Sequence, residues 1–110
     1  MSFFSHPEMG VFEQGAGHIG ATLLSEKNGC QNHCVIGVSI YSDTTYPAPG
    51  VHDEQEGFVV FSGRGYAKVG SEEHELSPQT VFIVPPLTPH AIRTDNNDEP
   101  VMVFWFHAAA

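Results

Sequence analysis

Two histidines and one glutamate stand out for what they could do together. His52 and Glu56 are four residues apart, and His90 follows a proline-rich turn at the start of a β-branched stretch. If the chain is already extended from Val51 onward, the two-residue period of a strand puts His52 and Glu56 on one face. Two imidazoles and a carboxylate that converge inside a barrel form a 2-His-1-carboxylate set. Such a set leaves coordination positions open for substrate, oxygen or water. Neutral imidazole and ionised carboxylate suit Fe(II), Mn(II), Ni(II), Zn(II) or Co(II) better than calcium or magnesium. The other reading is a metal-free pocket in which His52, Glu56 and His90 hydrogen-bond one another. Seven histidines against four Lys plus Arg make a metal site worth seeking, although most of these imidazoles are expected in solvent. A second set, Cys30-Gln-Asn-His33-Cys34, has soft donors but no further pair to complete a structural zinc site. A loop that leads into a buried cysteine at a strand start is the plainer reading.

The elements that must position these residues are short strands. His18–Ser25, Cys34–Tyr41, Glu56–Ser62, Tyr66–Val69, Glu73–Leu76, Thr80–Val84, Pro89–Arg93 and Val101–His107 are apolar or β-branched runs. Between them lie the polar turn Glu26–Asn32, the extended loop Thr44–Val51, the turn or bulge Gly63-Arg-Gly65 and the polar loop Thr94–Pro100. Gly70-Ser71-Glu72 marks a hairpin. Gly10, Gly15 and Gly17 break any long helix near the start. About eight strands with Gly/Pro turns predict an all-β sandwich or barrel with little helix. Phe58, Phe61, Phe82, Phe104, Trp105 and Phe106 are expected in its core or at a subunit interface.

Composition narrows the function further. The 110 residues suffice for one domain, and the net charge of −9 argues against nucleic-acid or anionic-membrane partners. No apolar run is long enough to span a bilayer; Val101–His107 is the longest. The opening Met1-Ser-Phe-Phe-Ser-His has neither a basic flank nor a long apolar stretch, so a cytoplasmic setting is expected. Gly63-Arg-Gly65 is no dinucleotide fingerprint, Ser62 and Ser77 lack a nucleophile elbow, and Asp95–Glu99 lacks calcium-loop spacing.

From about Tyr41 to His107 the chain resembles the cupin superfamily. That family's first motif is G-x5-H-x-H-x3/4-E-x6-G, and His52, Glu56 and Gly63 match its second histidine, glutamate and closing glycine. Its second motif is G-x5-P-x-G-x2-H-x3-N, of which Pro85 and His90 match the proline and histidine. The departures are Thr44, Gly50, Gln79, Leu87 and Thr94, which replace a glycine, the first histidine, two glycines and the asparagine. The resemblance implies a double-stranded β-helix, the jelly-roll barrel, over residues 34–110. Residues 1–33 would pack on that barrel or on a partner subunit. It also implies His52, Glu56 and His90 as metal ligands, with one family ligand missing at Gly50. His18, His33 and His107 are the histidines that could reach inward from other strands, and the sequence does not choose among them. Glu54 and Tyr41 are candidates for an acid or base, and Glu54 also for a ligand.

Three functions remain open at this level. One is a metal-dependent enzyme on a small polar metabolite, for which the resemblance allows dioxygenase, isomerase, lyase or decarboxylase chemistry. The second is a non-catalytic module that binds a sugar or other small molecule, with or without metal. The third is a structural or regulatory partner protein. The resemblance also implies a homodimer.

Overall fold

A computed structural model describes residues 2–109. Nine strands carry the fold: β1 (Glu13–Gly15), β2 (His18–Leu24), β3 (Val35–Tyr41), β4 (Gln55–Ser62), β5 (Gly65–Val69), β6 (Glu72–Leu76), β7 (Val81–Val84), β8 (His90–Thr94) and β9 (Val101–Ala108). Two single-turn 3-10 helices, Pro7–Met9 and Glu26–Asn28, are the only helical segments among the described residues. No helix there is long and apolar enough to cross a membrane. All pairings are antiparallel, in a six-stranded sheet ordered β1-β2-β3-β9-β4-β7 and a three-stranded sheet ordered β6-β5-β8. This is the all-β jelly roll the sequence leads one to expect.

Strand alternation builds the interior. β4 turns Glu56, Phe58 and Val60 inward and leaves Val59 and Phe61 exposed, while β9 turns Val101 and Val103 inward on the same face. Opposite residues therefore stack on the inner face: Val60 with Val103, Phe58 with Trp105, and Glu56 with His107. β5, β6 and β8 close the other side with Ala67, Leu76 and Ile92. Each fully buried valine or phenylalanine contributes about 1.5–3 kcal/mol by leaving water. Truncation of Phe58 to alanine would remove a central piece, at about 3–5 kcal/mol. The polar cluster described below adjoins this core, with the Phe58 ring 6.3 Å from that of His90.

The start of the chain belongs to this architecture. β2 pairs with β3, and β1 pairs with β2 as an edge strand that the glycine-rich sequence did not suggest. The loop between β3 and β4 is tied to the facing sheet. Gly50 and His90 exchange both backbone hydrogen bonds, at 2.9 and 3.0 Å, and the Leu87 N–H donates to the His52 carbonyl at 2.7 Å. At the end of β8, the buried Thr94 donates its hydroxyl to the Glu99 carbonyl at 2.8 Å and so holds the polar loop that leads to β9.

Candidate metal centre

Glu56 is the hub of the polar cluster. It is the second residue of β4 and only 7% exposed. His52 lies before the strand, on the tied loop, with its Nε2 3.0 Å from Glu56 Oε1. The strand begins at Gln55, so a bend at Asp53 and Glu54, and not strand alternation from Val51, brings His52 round to Glu56. His90 opens β8 in the facing sheet, and its Nε2 stands 3.4 Å from the same oxygen. These three residues offer donor atoms within 4.8 Å of one another and could hold a metal ion.

A third imidazole lies beside them, outside the group of donor atoms that are all within 4.8 Å of one another. His107, opposite Glu56 on β9, places Nε2 3.0 Å from Glu56 Oε2, and its ring stacks on His52 with centroids 4.8 Å apart. The sequence left it open beside His18 and His33. The signal was the alternation of Val101, Val103, Trp105 and His107, which puts His107 on the inner face; what the sequence lacked was the β4–β9 register. His18 lines the same cavity, with its ring 5.0 Å from Tyr41. His33 lies at a separate depression with Cys30 and Cys34, both free, and no donor cluster forms there among the described residues. Glu54 is at the rim: its carbonyl faces His52 Nδ1 at 2.8 Å, and its Oε1 faces His107 Nδ1 at 3.4 Å.

The electrostatics follow from this packing. Burial pushes the Glu56 carboxyl up, but hydrogen bonds from His107, His90 and His52 outweigh it and hold it at about 2. His90 and His107 are each raised above their ordinary 6.5, chiefly by the hydrogen bond to Glu56 and against the effect of burial. Tyr41 is pushed up by burial and by the Glu56 charge, so its phenol stays protonated. That leaves Tyr41 a neutral hydroxyl, able to hydrogen-bond at the site.

The donor count shows whether this set fits a cation. The Nδ1 atoms of His52, His90 and His107 face Glu54 O, Thr88 O and Glu54 Oε1, and every Nε2 faces Glu56. A neutral imidazole has a single N–H. With that proton on Nδ1, each Nε2 lone pair points at carboxylate oxygen, which is repulsive unless something positive lies between. Full protonation would gather three imidazolium charges around a single buried carboxylate, which is costly. A divalent transition metal bound among His52, Glu56 and His90 would accept such lone pairs, and the Nδ1 contacts would then be outer hydrogen bonds of the kind that orient ligating histidines. The residues fit the ion.

The cluster forms the floor of a cavity of about 690 Å³, walled by Tyr41, Trp105, His18 and the β1 segment. Trp105 donates Nε1–H to Ser39 Oγ at 2.8 Å, so it shows the cavity a ring face and no free donor. Among the described residues that line it there is no lysine or arginine.

Comparison with known proteins agrees with the fold. The predicted oxalate decarboxylase of Thermotoga maritima superposes with a TM-score of 0.82 at 12% identity, over 97% of this chain and 99% of that one. The polyketide cyclase RemF of Streptomyces resistomycificus gives 0.80 at 16%, over 100% and 81%. The iron(II) form of HppE with its substrate gives 0.79 at 15%, over 94% of this chain and 59% of that one. No curated protein sequence matches. The sequence profile described as "Cupin domain" matches residues 40–107, a span that holds His52, Glu56, His90 and His107, the whole three-stranded sheet, and β4, β7 and nearly all of β9 in the larger one. By that match and by the barrel it folds into, the chain belongs to the cupin family.

Proposed function

We propose that this cupin is a metal-dependent enzyme acting on a small polar metabolite, with His52, Glu56 and His90 holding a divalent transition metal: iron, manganese, nickel or zinc. The observation that carries the reading is the convergence of imidazole Nε2 atoms on the buried Glu56 at the floor of a cavity. A metal bound there supplies Lewis-acid or redox chemistry. Glu56 keeps its negative charge across the physiological range, because its carboxyl is held at about 2. Tyr41 offers a hydroxyl that can hydrogen-bond a substrate oxygen. Trp105 gives an apolar wall for the substrate skeleton. With no lysine or arginine in the lining, neutral polar groups and the metal hold the substrate. Neighbours as different as a polyketide cyclase and a predicted oxalate decarboxylase support small-molecule chemistry in such a barrel without selecting one reaction.

The test is elemental analysis of protein purified without tag or chelator. Near-stoichiometric metal that disappears in His52→Ala and in His90→Ala supports the proposal. Absence of metal after reconstitution overturns it and favours a second reading, a non-catalytic small-molecule or sugar-binding cupin. The observation behind that alternative is Gly50, which stands where the family motif has a histidine.

Two further features bear on partners. Val59, Phe61, Val81, Ile83 and Phe106 are exposed on the outer face of β4, β7 and β9, and we assign this apolar face to a second copy of the chain. A mass of twice 12.0 kDa by light scattering is expected. The net charge of −9 speaks against nucleic-acid and anionic-membrane partners, and the free Cys30 and Cys34 accord with a cytoplasmic setting.

A further inference from the structure

We infer that His107 is a fourth metal donor, supplied by the last strand in place of the imidazole missing at position 50. The inference rests on the metal-centre reading above and deepens it. Its Nε2 is as close to Glu56 as that of His52, 3.0 Å in each case, although on the other carboxylate oxygen. Its Nδ1 faces the Glu54 carboxylate at 3.4 Å, just as those of His52 and His90 face the Glu54 and Thr88 carbonyls. All three imidazoles are thus placed alike, with an oxygen acceptor beside Nδ1 and with Nε2 turned to the hub, the arrangement in which a metal could take the place of the Nε2 protons. His107 also stacks near-parallel on His52, 26° between planes, which holds its ring beside a ligand of the centre. A side chain at position 50 would enter the same site, because a Cβ there would lie 3.6 Å from the His90 ring. Gly50 brings no side chain there, and β9 of the six-stranded sheet supplies an imidazole beside Glu56.

The experiment is ring-nitrogen NMR of the parent protein during zinc addition, with zinc affinities of variants measured alongside. In the parent, the Nε2 resonances of His52, His90 and His107 are expected to move together at one equivalent while each Nδ1 keeps its proton. His107→Ala is expected to weaken zinc as much as His52→Ala does. That is more than the roughly 10–100-fold cost of losing an outer hydrogen-bond partner, which is the loss expected for Glu54→Gln. Zinc binding that moves His52 and His90 but leaves His107 protonated on both nitrogens overturns the inference and leaves the three-residue centre standing. A parent protein that takes up no zinc, iron, manganese or nickel overturns both. Because the NMR result is read on the unmutated chain, it does not depend on whether His107→Ala folds.

Discussion

Glu56 and His107 face each other across the β4–β9 ladder, and the carboxylate and imidazole meet at 3.0 Å inside the barrel. The strand pairing alone makes this contact, with no loop involved. It gives Glu56 a fixed partner on Oε2 while His52 and His90 share Oε1. The carboxylate is therefore held on both oxygens before any ligand arrives, which is the preorganisation a metal or substrate site needs.

Glu56→Gln keeps the shape and removes the charge. Three imidazoles then face an amide that can accept on one atom only. Metal uptake is expected to fall below detection, and the chelated protein to lose about 1–3 kcal/mol of stability, the cost of leaving buried polar groups poorly paired. Elemental analysis and urea denaturation check the two halves separately. Retention of full metal content in this variant would remove Glu56 from the donor set.

The pH dependence of the chelated protein follows from the same cluster. Glu56 sits at about 2 in the folded state against an ordinary 4.5, so its stabilising share is complete above pH 4.5 and fades as the pH falls toward 2. His90 and His107 are raised above 6.5, so theirs is complete below pH 6.5 and fades as the pH climbs through their folded values. The two windows overlap between pH 4.5 and 6.5, where the urea midpoint is expected to peak. With zinc bound the peak should move to higher pH, because the ion needs the imidazoles deprotonated. A midpoint that is flat from about pH 5 to 8 with chelator present would contradict the proposed coupling.

The Gly50 departure can be reversed. The Cβ of a side chain at position 50 meets the His90 ring at ordinary contact distance and nothing closer. In a His107→Ala background, Gly50→His is expected to recover at least about tenfold of the lost zinc affinity, since it returns an imidazole to the set. Titration calorimetry reads this directly. No recovery would mean that position 50 does not reach the ion.

Much of this was legible from residue order. The His52, Glu56 and His90 constellation came from spacing and motif, and the strands came from β-branched runs bounded by glycine and proline. What the sequence hid was register: Glu56 and His107 lie 51 positions apart in the chain, and nothing local says that they pair. The bend that turns His52 onto Glu56 was hidden too, because it depends on the Gly50–His90 bridge to the other sheet. β1 was missed because Glu13-Gln-Gly15 has no strand propensity of its own and exists by pairing with β2.

The altered motif glycines turn out to keep their backbone geometry. Leu87 and Gln79, which stand where the family motif has glycine, have φ of 60° and 79°. The turns thus retain a left-handed conformation that a side chain disfavours by about 1–2 kcal/mol. Leu87 is 69% exposed, so its side chain has little packing to lose. Leu87→Gly is expected to stabilise the protein by up to about 1 kcal/mol, the relief exceeding the entropy that glycine adds to the unfolded chain. A thermal melt checks the sign. A clear fall in Tm would mean that the Leu87 side chain makes a contact that matters, for instance with a second copy of the chain.

Trp105 gives a direct view of the site. It is the single tryptophan, its ring lies 5.1 Å from that of His107, and Ser39 fixes its orientation. A Cβ on Gly37 would run into the Trp105 ring and the Ala21 carbonyl, so this glycine is what lets the indole lie flat against β3. Gly37→Ala is therefore expected to cost about 1–3 kcal/mol through overpacking and to shift the tryptophan emission. In the parent, Co(II) or Ni(II) held by the cluster should quench that emission with a one-to-one endpoint, and zinc should compete the quenching away. His52→Ala should abolish the endpoint while leaving the emission of the metal-free protein near the parent value. Quenching that survives in His52→Ala would place the ion elsewhere on this acidic surface.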